Sequence, residues 1–445
     1  MIKRGILLTI TILTAVCMFS ACARKAKAQP QPELQNTQKE GEKAGSEKAE
    51  SEAINQTDSA VSVCIDYVIE SYENVQKFSY DLFLQHINDQ NPVLSPVSAY
   101  LALSMAGCGA DGSTRDEFYS VLGNDMMALS DDMMNRFGAA GDQLNLSIAN
   151  SAWIDDQFIV KDEWIGTVKS LMDAESFQAD LSTEQTMNQI NHWIDEKTNG
   201  LIDNMLAEPL DEQTRLALLN TIYFKGKWVL PFEAQNTHKE DFYLQKGQER
   251  IEQVDMMNLY MKELDYISND FVEGVILSYQ QNDTNDRTQL AFVALKPIGT
   301  NVMKDVYSKL TNQVFSDMIA NKQTQTVNLK LPKFEVTFDT NLNQSLINIG
   351  LKECFEEGKA NFDQLGKTKN QDTLFINLVR QKAKIIVDEE GTEAAAATEI
   401  LMMDKGGMIG PDPKELYFNE PFLYMIMDME TELPLFIGVL DCPVS

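Results

Sequence analysis

The sequence predicts a large α+β domain behind an N-terminal leader and a polar tether, and three observations carry that prediction. Tyr67, Val68, Tyr72, Val75, Phe78, Ser79, Leu82 and Phe83 recur at helical spacing near the start of the domain. Later segments carry the two-residue period or the continuous apolar run of strands, as at Leu144–Trp153 and Leu216–Phe224. Near the C-terminus, a long segment from Glu389 to Pro413 has the place of a loop but the pattern of a strand. The 445 residues leave enough chain after the leader for one large core or two small ones.

Lys3-Arg4 followed by the apolar run Ile6–Phe19 reads as a secretory leader. It ends Phe19-Ser20-Ala21-Cys22, which is similar to a bacterial lipoprotein box in which Cys22 is lipidated and becomes the new N-terminus. Phe19 stands where Leu is more usual, and ordinary cleavage near Ala21 or Ala23 with release is the alternative. Residues 23–58 are mostly Lys, Gln, Glu, Ser, Pro and Ala, too poor in apolar surface to fold. Such a tether has a root-mean-square reach of about 30–35 Å. The expected organisation is therefore a leader at 1–22, a tether at 23–58 and a folded domain at 59–445. Its expected place is extracellular, either held at the cell surface by the lipid or secreted.

Net charge is -30, from 67 acidic and 37 basic residues. That argues against nucleic acid, polyanions and anionic lipid as partners of the folded part, so a membrane enters only through the N-terminal lipid. The three histidines, His86, His192 and His238, show no metal-ligand spacing, and there is no Gly-x-Ser-x-Gly. No hydrolase site, metal or cofactor is expected.

In chain order, Asn91–Ser98 reads as a short strand broken by proline and Ala99–Gly107 as a helix of small residues. A turn at Gly109–Gly112 leads to a helix capped by Ser113 or Thr114 ahead of Asp116-Glu117. Leu144–Trp153 is a strand, Glu163–Met172 a helix, and Ile190–Ile202 a helix ending at Gly200. Leu216–Phe224 suits a strand covered on both faces. Strands at Phe271–Ser278 and Leu290–Lys296 precede a helical stretch through Asn321. Val327–Val336 alternates apolar and polar as a strand would, and Leu342–Leu351 is a helix ending in Gly350.

Lys384–Val387 is a strand that runs into Glu389-Glu390-Gly391-Thr392-Glu393-Ala394-Ala395-Ala396-Ala397-Thr398. On the strand period, Thr392, Ala394, Ala396, Thr398, Ile400 and Met402 share one uncharged face that a sheet can bury. Glu393, Ala395, Ala397, Glu399, Leu401 and Met403 share the other. An Ala-rich solvent loop or a short helix is the other reading of these residues.

This stretch resembles the hinge of the inhibitory serpins, and the resemblance runs from about Asp66 to the C-terminus. It is carried by Ser95-Pro96-Val97-Ser98, by Gly109 to Glu117, and by the Leu-x-Asn-x-Ile-Tyr-Phe-Lys-Gly-Lys-Trp-x-x-Pro-Phe run that ends at Phe232. Val327–Val336 with Leu342–Leu351, Ala360–Asp363, Tyr417–Phe422 and Leu435–Gly438 continue it. The resemblance implies the serpin fold: three β-sheets, about eight or nine helices, and an exposed reactive-centre loop at about 389–413. It also implies roles. Ser95 and Ser98 would lie under the opening point of the main sheet, with Asn220 at a strand centre. Gln381 would bond to Asn220 across that centre. Trp228 would stand at the strand top where the loop enters. Lys333 would pair with Glu389 at the loop's base and set how easily the sheet opens.

In the family the scissile residue lies fourteen positions after the hinge glycine, so the resemblance implies that Lys405, counted from Gly391, is the scissile residue, with Gly406 on the leaving side. Met402 or Met403 would instead suit elastase- or chymotrypsin-like enzymes. The implied activity is irreversible suicide-substrate inhibition of a serine protease, trypsin-like first, by a monomer that is not an enzyme. Inhibition of cysteine proteases by the same loop is one alternative; a non-inhibitory surface binding protein is another. Two residues depart from the family pattern: Glu420 replaces a basic or polar residue, and Gln381 replaces His. Cys64, Cys108, Cys354 and Cys442 show no framework spacing and read as buried thiols, with no disulfide required.

Overall fold

The computed structural model describes residues 72–443 apart from 138–140, 203, 246–248, 251–252, 283–287, 369–373 and 393–411. The leader, the tether, Cys22 and Cys64 lie outside the described residues, as do Glu393, Ala394, Ala395, Ala396, Ala397, Thr398, Met402, Met403, Lys405 and Gly406.

The helical spacing beyond Tyr72 forms α1 (Glu73–Leu84), which buries Val75, Phe78, Leu82 and Phe83. Pro92 and Pro96 confine the next extended piece to β1 (Val93–Leu94), and Pro96, with no N–H to lose, opens α2 (Pro96–Gly109). Almost every residue of α2 is buried, as a helix inside a core must be. The next helix, α3 (Gly112–Leu122), is capped by Asp111 rather than by Ser113 or Thr114. Gly112 adopts φ +57, which lets the helix begin earlier than expected, and both hydroxyls bond to Glu353 instead.

There follow α4 (Met126–Arg136), β2 (Leu144–Asp155), β3 (Phe158–Val160), α5 (Asp162–Met172), β4 (Glu175–Ala179) and α6 (Glu184–Lys197). α6 closes before Gly200, because Asn199 and Gly200 both take positive φ. Then come β5 (Leu216–Lys227), β6 (His238–Glu240), β7 (Tyr243–Gln245), β8 (Glu249–Arg250), β9 (Val254–Ser268), β10 (Val272–Ser278) and β11 (Leu290–Pro297). Two helices, α7 (Met303–Lys309) and α8 (Asn312–Ala320), lead to β12 (Gln323–Pro332) and β13 (Phe334–Asn341). The alternating run through Val336 is thus two strands in different sheets. Pro332 cannot donate to a continuing ladder, and the chain changes sheet at Lys333. The remainder is α9 (Asn343–Ile349), β14 (Gly366–Thr368), β15 (Leu378–Val387), β16 (Gly391–Thr392), β17 (Lys414–Tyr417), β18 (Phe422–Asp428) and β19 (Leu433–Leu440).

A six-stranded sheet has the order β13-β15-β16-β5-β2-β4. β3 pairs with β14 and β7 with β8 in two separate two-stranded ladders, and the remaining nine strands form a sheet around β9, which belongs to two groups. Its later residues pair with β10, which leads on to β11, β18, β19 and β1. Its earlier residues pair with β6, and β12 with β17 lies along its other edge. These two groups and the six-stranded sheet are the expected three sheets, and the described residues hold nine α-helices. The main core packs α2 against β5 and β19. A second apolar cluster, with Trp153, Ile190, Trp193 and Ile194, covers the other face of the six-stranded sheet under α6. β5 is therefore covered on both faces, as its apolar run requires. Of the described cysteines, Cys354 is buried, whereas Cys108 and Cys442 are only half-buried.

Candidate loop-insertion site

The site is a seam in the six-stranded sheet. β5 and β15 run parallel and pair directly only at one end, Leu378 with Ala217, Val379 with Leu218 and Arg380 with Leu219. At the other end the chain turns back at Asp388 and inserts β16 between them, Thr392 pairing with Val387 on one side and Gly226 on the other. In between, Asn220–Lys225 and Gln381–Ile386 share no ladder. A narrow crevice, too tight to hold water, lies there against Thr392 and is lined by Phe224, Ile385, Ile386 and Leu201.

Local chemistry explains the turn. Asp388 Oδ1 accepts the N–H groups of Glu390 (2.9 Å) and Gly391 (3.2 Å), and Asp388 N–H donates to Gly391 O (2.9 Å). Gly391 is required by close approach, since an added Cβ would collide with the carbonyl oxygen of Gly226. Thr392 is 2% exposed, and its hydroxyl lies 2.6 Å from that of Tyr279. Burial pushes the Tyr279 phenol well above its ordinary pKa, so it stays a neutral hydrogen-bonding group.

Trp228 stands at the base of the loop. Its backbone N–H donates to Glu390 O (2.8 Å) and its indole N–H to Asp388 O (3.0 Å), while its ring stacks on Tyr279 at 4.6 Å. Glu389 is gripped from two sides, by Lys333 Nζ at 2.9 Å and the Thr237 hydroxyl at 2.9 Å. Burial works to raise the Glu389 carboxyl, but Lys333 and Thr237 outweigh it and hold it below the usual range. Burial likewise opposes the Lys333 ammonium, yet Glu389, with Asp388 and Asp255, raises it. Asp388 is pushed up by burial against the pull of its two N–H donors.

The sheet centre differs from expectation in one bond. Gln381 does not reach Asn220: its Oε1 accepts from Ser95 N–H (2.9 Å) and its Nε2 donates to Ser95 O (2.9 Å). The start of α2 offers the amide one donor and one acceptor, and both are used. Asn220 instead donates to Asn150, its direct cross-strand partner on β2, and Asn150 donates to Met172 O (3.1 Å). Ser95 Oγ, Ser98 Oγ and Asn220 Oδ1 remain buried without a hydrogen-bond partner among the described residues. The structure thus gathers Ser95, Asn220 and Gln381 at one end of the seam, and Trp228, Lys333, Glu389, Glu390, Gly391 and Thr392 at the other. Tyr279, Thr237 and Asn150 went unnoticed in the sequence. Asn150 could be found only through strand register, and no motif marks the other two.

The family profile described as "Serpin (serine protease inhibitor)" matches residues 73–443. Iripin-1 of Ixodes ricinus is 30% identical over 361 residues, covering 79% of this chain and 88% of its own. The thermophilic serpin tengpin in its native state superposes with a TM-score of 0.75 at 31% identity, covering 83% of this chain and 93% of its own. Tengpin in its latent state gives 0.70 at 29% identity, covering 84% and 99%. With its seam, its turned-back loop base and these matches, the chain belongs to the serpin family, whose members are in general serine protease inhibitors.

Proposed function

We propose that this chain is an irreversible inhibitor of serine proteases that traps the acyl-enzyme by inserting its cleaved loop into the six-stranded sheet. The observation that carries the reading is β16, a first residue pair of the loop already seated in the seam. Its register extends without a break. Ala394 would lie between Ile385 and Phe224, Ala396 between Ala383 and Ile222, Thr398 between Gln381 and Asn220, and Ile400 between Val379 and Leu218. The last position agrees with the existing Val379–Leu218 pairing. The uncharged face of the loop then points inward, as Thr392 already does, and the narrow crevice against Thr392 suits the methyl of Ala394. Thr398 would bring a hydroxyl to Asn220 Oδ1, which has no partner among the described residues.

Attack on the Lys405 carbonyl by the protease serine would form the acyl bond and release Gly406 as a new amino terminus. Insertion of the thirteen residues Thr392 to Asp404 would then carry the protease roughly 40–45 Å. New ladder bonds and burial of the small face drive that movement, and dragging deforms the oxyanion hole so that deacylation stalls. Lys405 suits the acidic pocket of a trypsin-like enzyme; Met402 or Met403 would shift the target to elastase- or chymotrypsin-like ones. The proposal places the domain outside the cell, on the tether at 23–58, with Cys22 as the lipid attachment.

The test is incubation with trypsin and, separately, pancreatic elastase, followed by denaturing electrophoresis. A boiling-resistant band at the summed mass supports the trap, and the mass of the released C-terminal peptide locates the bond. Clean cleavage without complex, for every serine and cysteine protease tried, overturns it.

A further inference from the structure

Two consecutive apolar side chains on β9, Tyr260 and Met261, stand out into solvent, 48% and 53% exposed. A regular strand sends neighbouring side chains to opposite faces. Here the ladder with β12 slips: Val327 faces Lys262 and Leu329 faces Leu259, which leaves Tyr260 and Met261 opposite the single residue Asn328. Such a bulge re-aims the side chains it carries. Met261 takes φ +53, a left-handed backbone that glycine adopts freely and methionine only at a cost. Asn328 holds it there, its Oδ1 accepting the Met261 N–H at 2.9 Å. Neither Tyr260 nor Met261 packs into either apolar cluster, so burial does not offset that cost. The same asparagine reaches the stem of the loop. Its Nδ2 donates to Glu415 Oε1 at 2.9 Å, and Glu415 also accepts the Tyr417 hydroxyl. One side chain therefore ties the bulge to β17, the strand that follows the loop.

We propose that Tyr260 and Met261 form a docking surface for the body of the protease that attacks the loop. This rests on the inhibitor reading above. Lys414 follows Lys405 by nine residues, at most about 30–32 Å of chain. A protease domain of ~220 residues measures about 45 Å across, so an enzyme held at the scissile bond can cover β17 and the bulge beside it. The chemistry suits such a contact. Tyrosine offers a large, stiff surface that loses little side-chain entropy on binding, and methionine adapts its shape to an uneven apolar recess. Glu263, two residues on, and Glu415, across Asn328, are both exposed. The enzyme face that fits is therefore an apolar recess with a basic rim. The loop then selects a protease by the bond it offers, and the bulge by surface outside the catalytic cleft.

The test measures how fast trypsin attacks the full uncleaved chain in wild type, Tyr260→Ser and Met261→Gly. Attack is read as the rate of covalent-complex formation, or of loop cleavage where no complex forms. Each variant should slow attack at least fivefold. The inhibitor consumed per protease should stay at the wild-type value, because loop and seam are untouched. Met261→Gly suits the left-handed backbone and should melt close to wild type, which separates lost docking from a damaged fold. If Tyr260→Ser does not fold, Met261→Gly carries the test. Attack on Met261→Gly at the wild-type rate overturns the docking surface. If wild type is cleaved without complex by every protease tried, the inhibitor reading fails. Slower cleavage of the variants by trypsin would then still uphold the docking surface, and equal cleavage would overturn it as well.

Discussion

The hydroxyls of Tyr279 and Thr392 meet at 2.6 Å inside the protein, joining the residue after β10 to the two-residue strand at the loop's base. Replacing Tyr279 with Phe leaves the buried Thr392 hydroxyl without a partner, which should destabilise the uncleaved protein by about 1–3 kcal/mol. The urea midpoint should fall with an unchanged slope. An unchanged midpoint would mean that the bond contributes nothing.

Gly391→Ala tests the fit of β16. The added Cβ meets the Gly226 carbonyl, a backbone atom that cannot rotate away as a side chain would. The loop base should leave the seam, seen as faster amide exchange at Thr392 and easier proteolysis near Asp388. Unaltered protection there would show that β5 and β15 part more readily than their close contact implies.

If the loop inserts as proposed, a charge on its inward face should make the chain a substrate rather than an inhibitor. With Thr392→Arg, the guanidinium would have to enter a buried position beside Tyr279. Ala396→Glu would bring a carboxylate to the place between Ala383 and Ile222. For both variants the moles of inhibitor consumed per mole of protease should rise several-fold, with cleaved product accumulating. An unchanged ratio would contradict insertion in this register.

The Lys333–Glu389 pair fixes a pH window. A carboxyl held below its ordinary 4.5 contributes stability that is present above that pH and lost as pH falls through the folded value. An ammonium held above its ordinary 10.5 contributes below that pH and loses its contribution as pH rises through the folded value. The pair is therefore at full strength from about pH 5 to 10. Asp388 acts in the opposite sense: its raised pKa makes ionisation costly, and acid relieves that cost. Because the Lys333 side chain is 43% exposed, solvent screening limits the pair to about 0–1 kcal/mol. Glu389→Gln should lower stability by that amount at pH 7, and the gap should close as pH falls through the lowered pKa of Glu389 in the folded protein. A gap that persists in acid would assign the effect to packing or to the Thr237 bond.

The sequence by itself determined the α+β class, most strands and helices, the two-sided burial of Leu216–Phe224 and the small-residue face after Gly391. Each is a local property: periodicity, proline placement or side-chain size repeats along the chain and can be read there. Its motifs also located Ser95, Asn220, Trp228, Lys333 and Gln381 before any strand pairing was known. Tertiary structure alone decided how those residues meet. Gln381 turned to the backbone of Ser95, because the start of α2 arrives beneath it, and Asn220 turned to Asn150, because the antiparallel register of β2 and β5 sets them opposite. The break at Lys333, the seat of Thr392 beside Tyr279 and the hold of Asn328 on Met261 and Glu415 depend on contacts between residues tens to more than a hundred positions apart. Such contacts follow from sheet order and register, which alternation along one strand leaves open.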